Sequence, residues 1–165
     1  MATFSFDIIC DYDKAEIINV FDQSKRELDN RYDFKGTSAS IDWLDNDKTG
    51  LKLTADSQYQ IDAIIEIIRK KLATRNQSQK LLDVSNQSTT SNLKTTQLVP
   101  FKKGLDQDKA KKITNLIRDN LPKVKCTIQG QEVRVQSNSK DELQAVMQLL
   151  READLDFPLN FTNYR

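Results

Sequence analysis

The chain repeats itself. When Leu51-Lys52-Leu53 is laid over Val133-Arg134-Val135, the residues that follow stay in phase: Ser57 meets Ser139, Ile61 meets Leu143, Ala63 meets Ala145 and Ile64 meets Val146. Each pair is of one chemical kind. Such self-similarity constrains the fold more than any single segment does, because both copies must bury the same apolar pattern in the same way. The 165 residues suffice for one ordinary domain or two small ones of about 80 residues each, and the repeat favours two.

Each copy predicts helix, strand, strand, helix. Phe4-Ser5-Phe6-Asp7-Ile8 alternates with period two and reads as a strand. Asp13 with Glu16 resembles a capping box, and Ile17, Phe21, Ser24 and Leu28 share one face of a helix over about 13–31. Strands over 40–44 and 51–54 flank the polar turn Asp45-Asn46-Asp47-Lys48. Ser57 and Gln60 open a second helix striped by Ile61, Ile64, Ile65, Ile68 and Leu72.

Residues 73–92 are rich in Ser, Thr, Asn and Gln and read as a linker or long loop, with a short strand possible at 81–84. Residues 93–101 are strand-like, with Leu93, Thr95, Gln97 and Val99 on one side. The second copy begins at Asp106, whose helix carries Ala110, Ile113, Leu116 and Ile117 and is followed by Pro122. A hairpin pairs 124–128 with 132–136. Ser139 and Glu142 cap a helix bearing Leu143, Val146, Met147 and Leu150, and 159–164 closes the chain as a strand. The expected class is α+β: two ferredoxin-like βαββαβ domains in tandem, each a four-stranded antiparallel sheet with two helices on one face.

Composition narrows the function. There is no histidine, so Ser–His and Cys–His nucleophilic machinery is ruled out. The carboxylate pairs Asp11 with Asp13 and Asp45 with Asp47 sit in turns, where turn chemistry explains them. No metal site and no cofactor are expected, and the chain is not expected to be an enzyme. Cys10 and Cys126 read as reduced, half-buried thiols. No stretch of about 20 apolar residues is present, and Met1-Ala2-Thr3-Phe4 lacks the basic and apolar regions of an export signal, so the cytoplasm is the expected location. Net charge is +1, which confines any anion site to a local patch.

Strand alternation picks out that patch. Leu51 and Leu53, Val124, Cys126 and Ile128, and Val133 and Val135 should face the helices. Lys52 and Arg134, at equivalent repeat positions, should then lie on open sheet faces, where ferredoxin-like RNA-binding domains lay single-stranded bases. Such faces also carry cations for solubility alone. Trp43 shares the parity of Ile41 and is expected in the core, leaving Tyr32 and Tyr164 as the candidate exposed aromatics. Arg31-Tyr32-Asp33-Phe34-Lys35-Gly36 has two readings: a phosphate grip through Arg31 and Lys35, or a helix exit with Arg31 paired to Asp33. Lys102-Lys103-Gly104, followed by Lys109, Lys111 and Lys112, reads as an anion-binding helix start or a solvated helix face. The spacing of a phosphate loop is absent.

These segments together resemble the YajQ family. Ser5-Phe6-Asp7-Ile8, Arg31-Tyr32-Asp33-Phe34-Lys35, Lys103-Gly104-Leu105 with Ala110-Lys111-Lys112-Ile113, Gln129-Gly130, Arg134-Val135, Lys140-Asp141-Glu142-Leu143-Gln144-Ala145-Val146-Met147 and the ending Pro158-Leu159-Asn160-Phe161-Thr162-Asn163-Tyr164-Arg165 carry the likeness from end to end. The resemblance implies a bacterial cytoplasmic protein whose two ferredoxin-like domains exchange N-terminal strands. The first domain, 10–92, would be completed by 93–101, and the second, 102–165, by 4–9. It also implies nucleotide binding, some members being cyclic di-GMP receptors and others linked to RNA or tRNA. Basic residues inside the matching motifs, Arg31, Lys35, Lys111, Lys112, Arg134 and Arg165, join Lys52 as candidate site residues. The expected partner is GTP, ATP, cyclic di-GMP or RNA; the alternative is a protein-interaction adaptor with no nucleotide ligand.

Overall fold

A computed structural model describes residues 3–153 and 155–165. Met1 and Ala2, part of the N-terminal segment read above as carrying no export signal, lie outside the described residues. In chain order the elements are β1 (Phe4–Ile9), α1 (Lys14–Asn30), β2 (Ser40–Trp43), β3 (Gly50–Ala55), α2 (Gln58–Thr74), β4 (Thr89–Ser91), β5 (Lys94–Pro100), α3 (Gln107–Asn120), β6 (Lys125–Gln129), β7 (Glu132–Ser137), α4 (Lys140–Glu152) and β8 (Asn160–Thr162).

All four α-helices among the described residues start where the sequence places a capping side chain. Asp13 accepts hydrogen bonds from the Ala15 and Glu16 N–H groups at 3.0 and 3.3 Å, and Asp106 accepts from Lys109 at 2.8 Å. Ser57 and Ser139 do the same for Gln60 and Glu142, each at 3.4 Å. These bonds satisfy donors that a helix N-terminus otherwise leaves open. No helix among the described residues is long and apolar enough to cross a membrane.

The strands form two four-stranded antiparallel sheets, ordered β6-β7-β1-β8 and β2-β3-β5-β4. This is the ferredoxin-like arrangement twice over. The chain divides into a terminal unit, residues through Asp11 with Lys103–Arg165, and a middle unit, Tyr12–Lys102. β1 precedes α1 in sequence but is a central strand of the terminal unit's sheet, and β5 precedes α3 but is a central strand of the middle unit's sheet.

Each unit has its own core. In the middle unit Ile41, Leu51, Leu53 and Val99 meet Ile17, Val20 and Leu28 of α1 and Ile61, Ile64, Ile68 and Leu72 of α2. In the terminal unit Phe6, Ile8, Val133 and Val135 meet Ala110, Ile113 and Ile117 of α3 and Leu143, Val146, Met147 and Leu150 of α4. Lys71–Glu27 and Arg75–Glu16, at 3.0 and 2.7 Å, tie α2 to α1 at the rim of the middle core. Trp43 is half-buried and stacks on Phe21 with ring centroids 4.1 Å apart. Cys10 and Cys126 are not joined in a disulfide, and burial pushes the Cys126 thiol up from its ordinary value. The turn at Lys103-Gly104-Leu105 is structural: Gly104, at φ +81°, donates its N–H to the Cys10 carbonyl at 2.6 Å, and Leu105 donates to Gln131 at 3.2 Å.

Three expectations are corrected. Residues 73–92 are not simply a linker: α2 runs to Thr74, and Leu81 ends a 3-10 turn rather than starting a strand. Leu82 makes a single bridge to Phe101, and Thr89–Ser91 is the edge strand β4. An edge strand with all three residues exposed needs no apolar alternation, so its pattern looks like loop. Leu93 does not share the inner face of Thr95, Gln97 and Val99. With Asn92 it forms the two-residue turn between β4 and β5, at φ +51° and +66°, and it is 89% exposed. Ile128 is 43% exposed, on β6 at the edge of the sheet.

A two-residue hairpin turn with both φ values positive favours glycine, and a leucine there carries backbone strain. Leu93→Gly is therefore expected to stabilise the protein by about 1 kcal/mol, raising Tm by roughly 2–4 °C. Leu93→Val, with a β-branched side chain at the same φ, is expected to lower it. Thermal melts followed by circular dichroism test both.

Candidate functional site

The terminal unit carries a cleft of about 290 Å³ lined by Phe4, Ser5, Lys140, Leu143, Gln144, Met147, Tyr164 and Arg165. Its parts come from the start of β1, the first two turns of α4 and the residues after β8. Ser139 caps α4, so Lys140 is its first residue and Leu143, Gln144 and Met147 fall one and two turns on, beside each other. The Ser137 hydroxyl holds the same helix start by donating to Glu142 at 2.9 Å and accepting the Ser139 N–H at 3.1 Å.

Aromatic rings make up the apolar wall. Tyr164 is 61% exposed, stacks on Phe6 at 6.1 Å with 27° between the rings, and its hydroxyl lies 3.9 Å from Met147 Sδ. The Lys140 ammonium stands 5.0 Å from the centroid of the Phe4 ring. Among the described residues, Lys140 and Arg165 are the two cations lining the cleft, and no carboxylate side chain lines it.

A polar network holds the tail in place. Arg165 and Ser5 exchange backbone hydrogen bonds at 3.0 and 3.3 Å. Asn163, at φ +56°, donates its side-chain amide to Asp7 at 2.8 Å, and Arg134 donates to the other Asp7 oxygen at 3.1 Å. Asp7 is 3% exposed. Burial pushes its carboxyl up, but the hydrogen bonds from Arg134 and Asn163 and the charges of Arg134 and Arg165 outweigh it, and the carboxyl ends below its ordinary value.

The candidate residues are dispersed. Arg134 and Arg165 converge on Asp7, and Arg165 also lines the cleft. Arg31 is engaged with Asp33 at 2.8 Å and with Glu27 at 4.0 Å. The Asp33 hydrogen bond holds its guanidinium above the ordinary value, and it sits over the Phe34 ring, 5.2 Å from the centroid. Lys35 is exposed just past the turn Tyr32–Phe34. Lys52 is exposed, opposite Asp42 on one side and Leu98 on the other. Lys111 and Lys112 lie exposed on α3. Sequence reasoning took Lys140 and Phe4 only as parts of a motif or strand. The signal for Lys140 was its place directly after a capping serine; that for Phe4 was its strand parity with Phe6.

The middle unit has a second cleft, of about 780 Å³, between α2, Gln97 of β5 and residues 84–88. The repeat makes the two equivalent. With Ser57 over Ser139, Gln58 matches Lys140, Asp62 matches Gln144 and Ile65 matches Met147. Strand register extends the match: Gln97 pairs with Leu53 as Phe6 pairs with Val135. At equivalent places the terminal unit has Lys140 and the buried Phe6 ring, and the middle unit has the amides of Gln58 and Gln97.

Two ferredoxin-like units in tandem, each with a cleft beside its second helix, define the class of protein. The comparisons are more specific. The family model described as nucleotide-binding protein YajQ-like matches residues 4–165. Proteins named nucleotide-binding protein are 42% identical in Nostoc punctiforme and 43% in Trichodesmium erythraeum, each over 164 residues and 99% of both chains. One from Chloroherpeton thalassium is 42% identical over the same share. The chain belongs to the YajQ family.

Asp7→Asn is expected to cost about 2 kcal/mol at neutral pH, the scale of hydrogen bonds to a charged group. Because folding lowers the Asp7 carboxyl, the unfolded chain binds more protons than the folded one between the two values, and the wild type loses this contribution as pH falls below about 4. The gap between wild type and Asp7→Asn should therefore narrow in acid. Urea melts at pH 7 and pH 3 check the sign; a gap that widens in acid contradicts it.

Proposed function

We propose that this protein binds a nucleotide without turning it over, and that the terminal cleft receives one nucleotide unit. The observation that carries this is Tyr164, exposed but stacked on Phe6, beside Phe4, Lys140 and Arg165. A base can stack on an aromatic face irrespective of its identity, and two neighbouring cations attract its phosphate. The volume is near the lower end for small-molecule sites, suited to a single purine nucleotide. That unit would be free GTP or ATP, one half of cyclic di-GMP, or one residue of RNA. Non-catalytic binding is supported by the chain's lack of histidine and by a cleft lining that offers no carboxylate side chain as a base. The relatives' shared name supports nucleotide binding in general. The expected setting is the cytoplasm.

The test is titration of the purified protein with GTP, ATP, cyclic di-GMP and a short single-stranded RNA. At least one is expected to bind with micromolar Kd, about −8 kcal/mol, and to weaken as salt rises. Tyr164→Leu should weaken it about tenfold, within the ~1–3 kcal/mol of one base stack. Lys140→Ala with Arg165→Ala should reduce both affinity and salt dependence. No binding below about 1 mM, or a stoichiometric protein partner whose binding survives these changes and Lys52→Ala with Arg134→Ala, would favour the adaptor reading.

A further inference from the structure

We infer that the terminal cleft prefers adenine to guanine, and that Gln144 is the side chain that reads the base. This rests on the nucleotide reading of the same cleft and names the base it takes. Stacking on Tyr164 is indifferent to base identity, so a choice between bases has to come from hydrogen bonds to a base edge. Few groups of the lining can supply them. The Ser5 N–H and carbonyl are spent on the Arg165 backbone, at 3.3 and 3.0 Å. The Ser5 side chain shares the strand parity of Asp7 and turns to the other face of the sheet. The Tyr164 hydroxyl is directed at Met147 Sδ. Lys140 stands over the Phe4 ring and the charge of Arg165 acts on Asp7, so both cations are placed for phosphate.

That leaves Gln144. It is exposed on the face of α4 that carries Lys140 and Met147, four residues after the one and three before the other. Among the described residues nothing engages its amide. Its counterpart in the repeat, Asp62, accepts from Gln58 at 2.9 Å. Lys140 takes the place of Gln58 in the terminal unit, and the Gln144 amide stays free for a ligand.

An amide presents a donor and an acceptor side by side. Adenine offers the complementary pair, an acceptor at N7 and an amino donor at N6, whereas guanine has two acceptors there, N7 and O6, which an amide cannot satisfy together. On the pairing edge adenine is again complementary, through N1 and N6. Guanine matches an amide there through O6 and N1–H but has its 2-amino group left over. A carboxylate would take N1–H and the 2-amino group together, and among the described residues none lines the cleft. Asp141 and Glu142 lie outside the lining, and Glu142 accepts from Ser137 at 2.9 Å. Adenine is thus matched on both edges, guanine on one and incompletely.

The experiment is calorimetric titration of the full chain with ATP and with GTP at one salt concentration. The two share ribose and triphosphate, so the ratio of their Kd values isolates the base. ATP is expected to bind about tenfold more tightly, the scale of one bidentate pair. Gln144→Ala should remove the preference while both nucleotides still bind. Gln144→Glu, which presents two acceptors, should invert it; its added charge repels both triphosphates alike and cancels in the ratio. Tyr164→Leu should weaken both and leave the ratio unchanged. Unchanged melting curves establish that each variant is folded. If neither nucleotide binds below about 1 mM, the nucleotide reading fails and this inference with it. If both bind and Tyr164→Leu weakens both, then equal affinities, a preference for GTP, or a ratio that survives Gln144→Ala overturns this inference alone.

Discussion

The ion pair between Asp7 and Arg134 sits where the terminal unit's geometry is decided. The two residues face each other across β1 and β7, on the side of the sheet away from the helices. Their neighbours Phe6 and Ile8 lie opposite Val135 and Val133 and point into the core. A slip of one residue would turn Phe6 and Ile8 outward and bring Ser5 and Asp7 against the helices. It would also strand a buried carboxylate, a heavy penalty. Apolar parity and the ion pair therefore favour the same register, and each penalises the alternatives the other leaves open.

That register reaches the cleft through the tail. Because Asp7 also accepts from Asn163, and Ser5 pairs with Arg165, residues 163–165 are held along β1. Tyr164, between these two anchors, is thus set on Phe6 rather than left to sample solvent. The aromatic wall is a by-product of strand pairing: the groups that fix it lie on the opposite face from the ring they position. In the middle unit the equivalent wall is built differently, by residues 84–88 folding over α2. One repeated scaffold thus supports two unlike surfaces.

Much of this was legible in the sequence. The four helices announced themselves through Asp13, Ser57, Asp106 and Ser139, since a side-chain cap is a local event that needs no distant partner. The repeat also gave the hairpins and both cores. Edges were less legible. Thr89–Ser91 carries no apolar pattern because nothing covers it, and Leu93 sits in a turn that ordinarily calls for glycine, so its apolar character misled. The site was read least well. Lys52 and Arg134 occupy equivalent repeat positions, but Arg134 meets Asp7 whereas Lys52 meets Leu98. Cross-strand partners come from elements distant in sequence, so one cation is engaged in an ion pair and the other exposed, and periodicity could not distinguish them. The clefts lie between a helix and a strand far along the chain, which no local pattern encodes.

The placement of β1 has a consequence for how the molecule is made. Its partners, β7 and β8, are the last strands of the chain. During synthesis, residues 12–102 can assemble their own sheet while Phe4–Ile9, apolar at alternate positions, has nothing to pair with until the ribosome has passed Val133. Closing that contact spans nearly the entire polypeptide, which slows folding and lengthens the time an unpaired strand is exposed. The opening residues of the chain thus depend on its closing ones, and a nascent protein halted midway would have one finished sheet and one waiting strand.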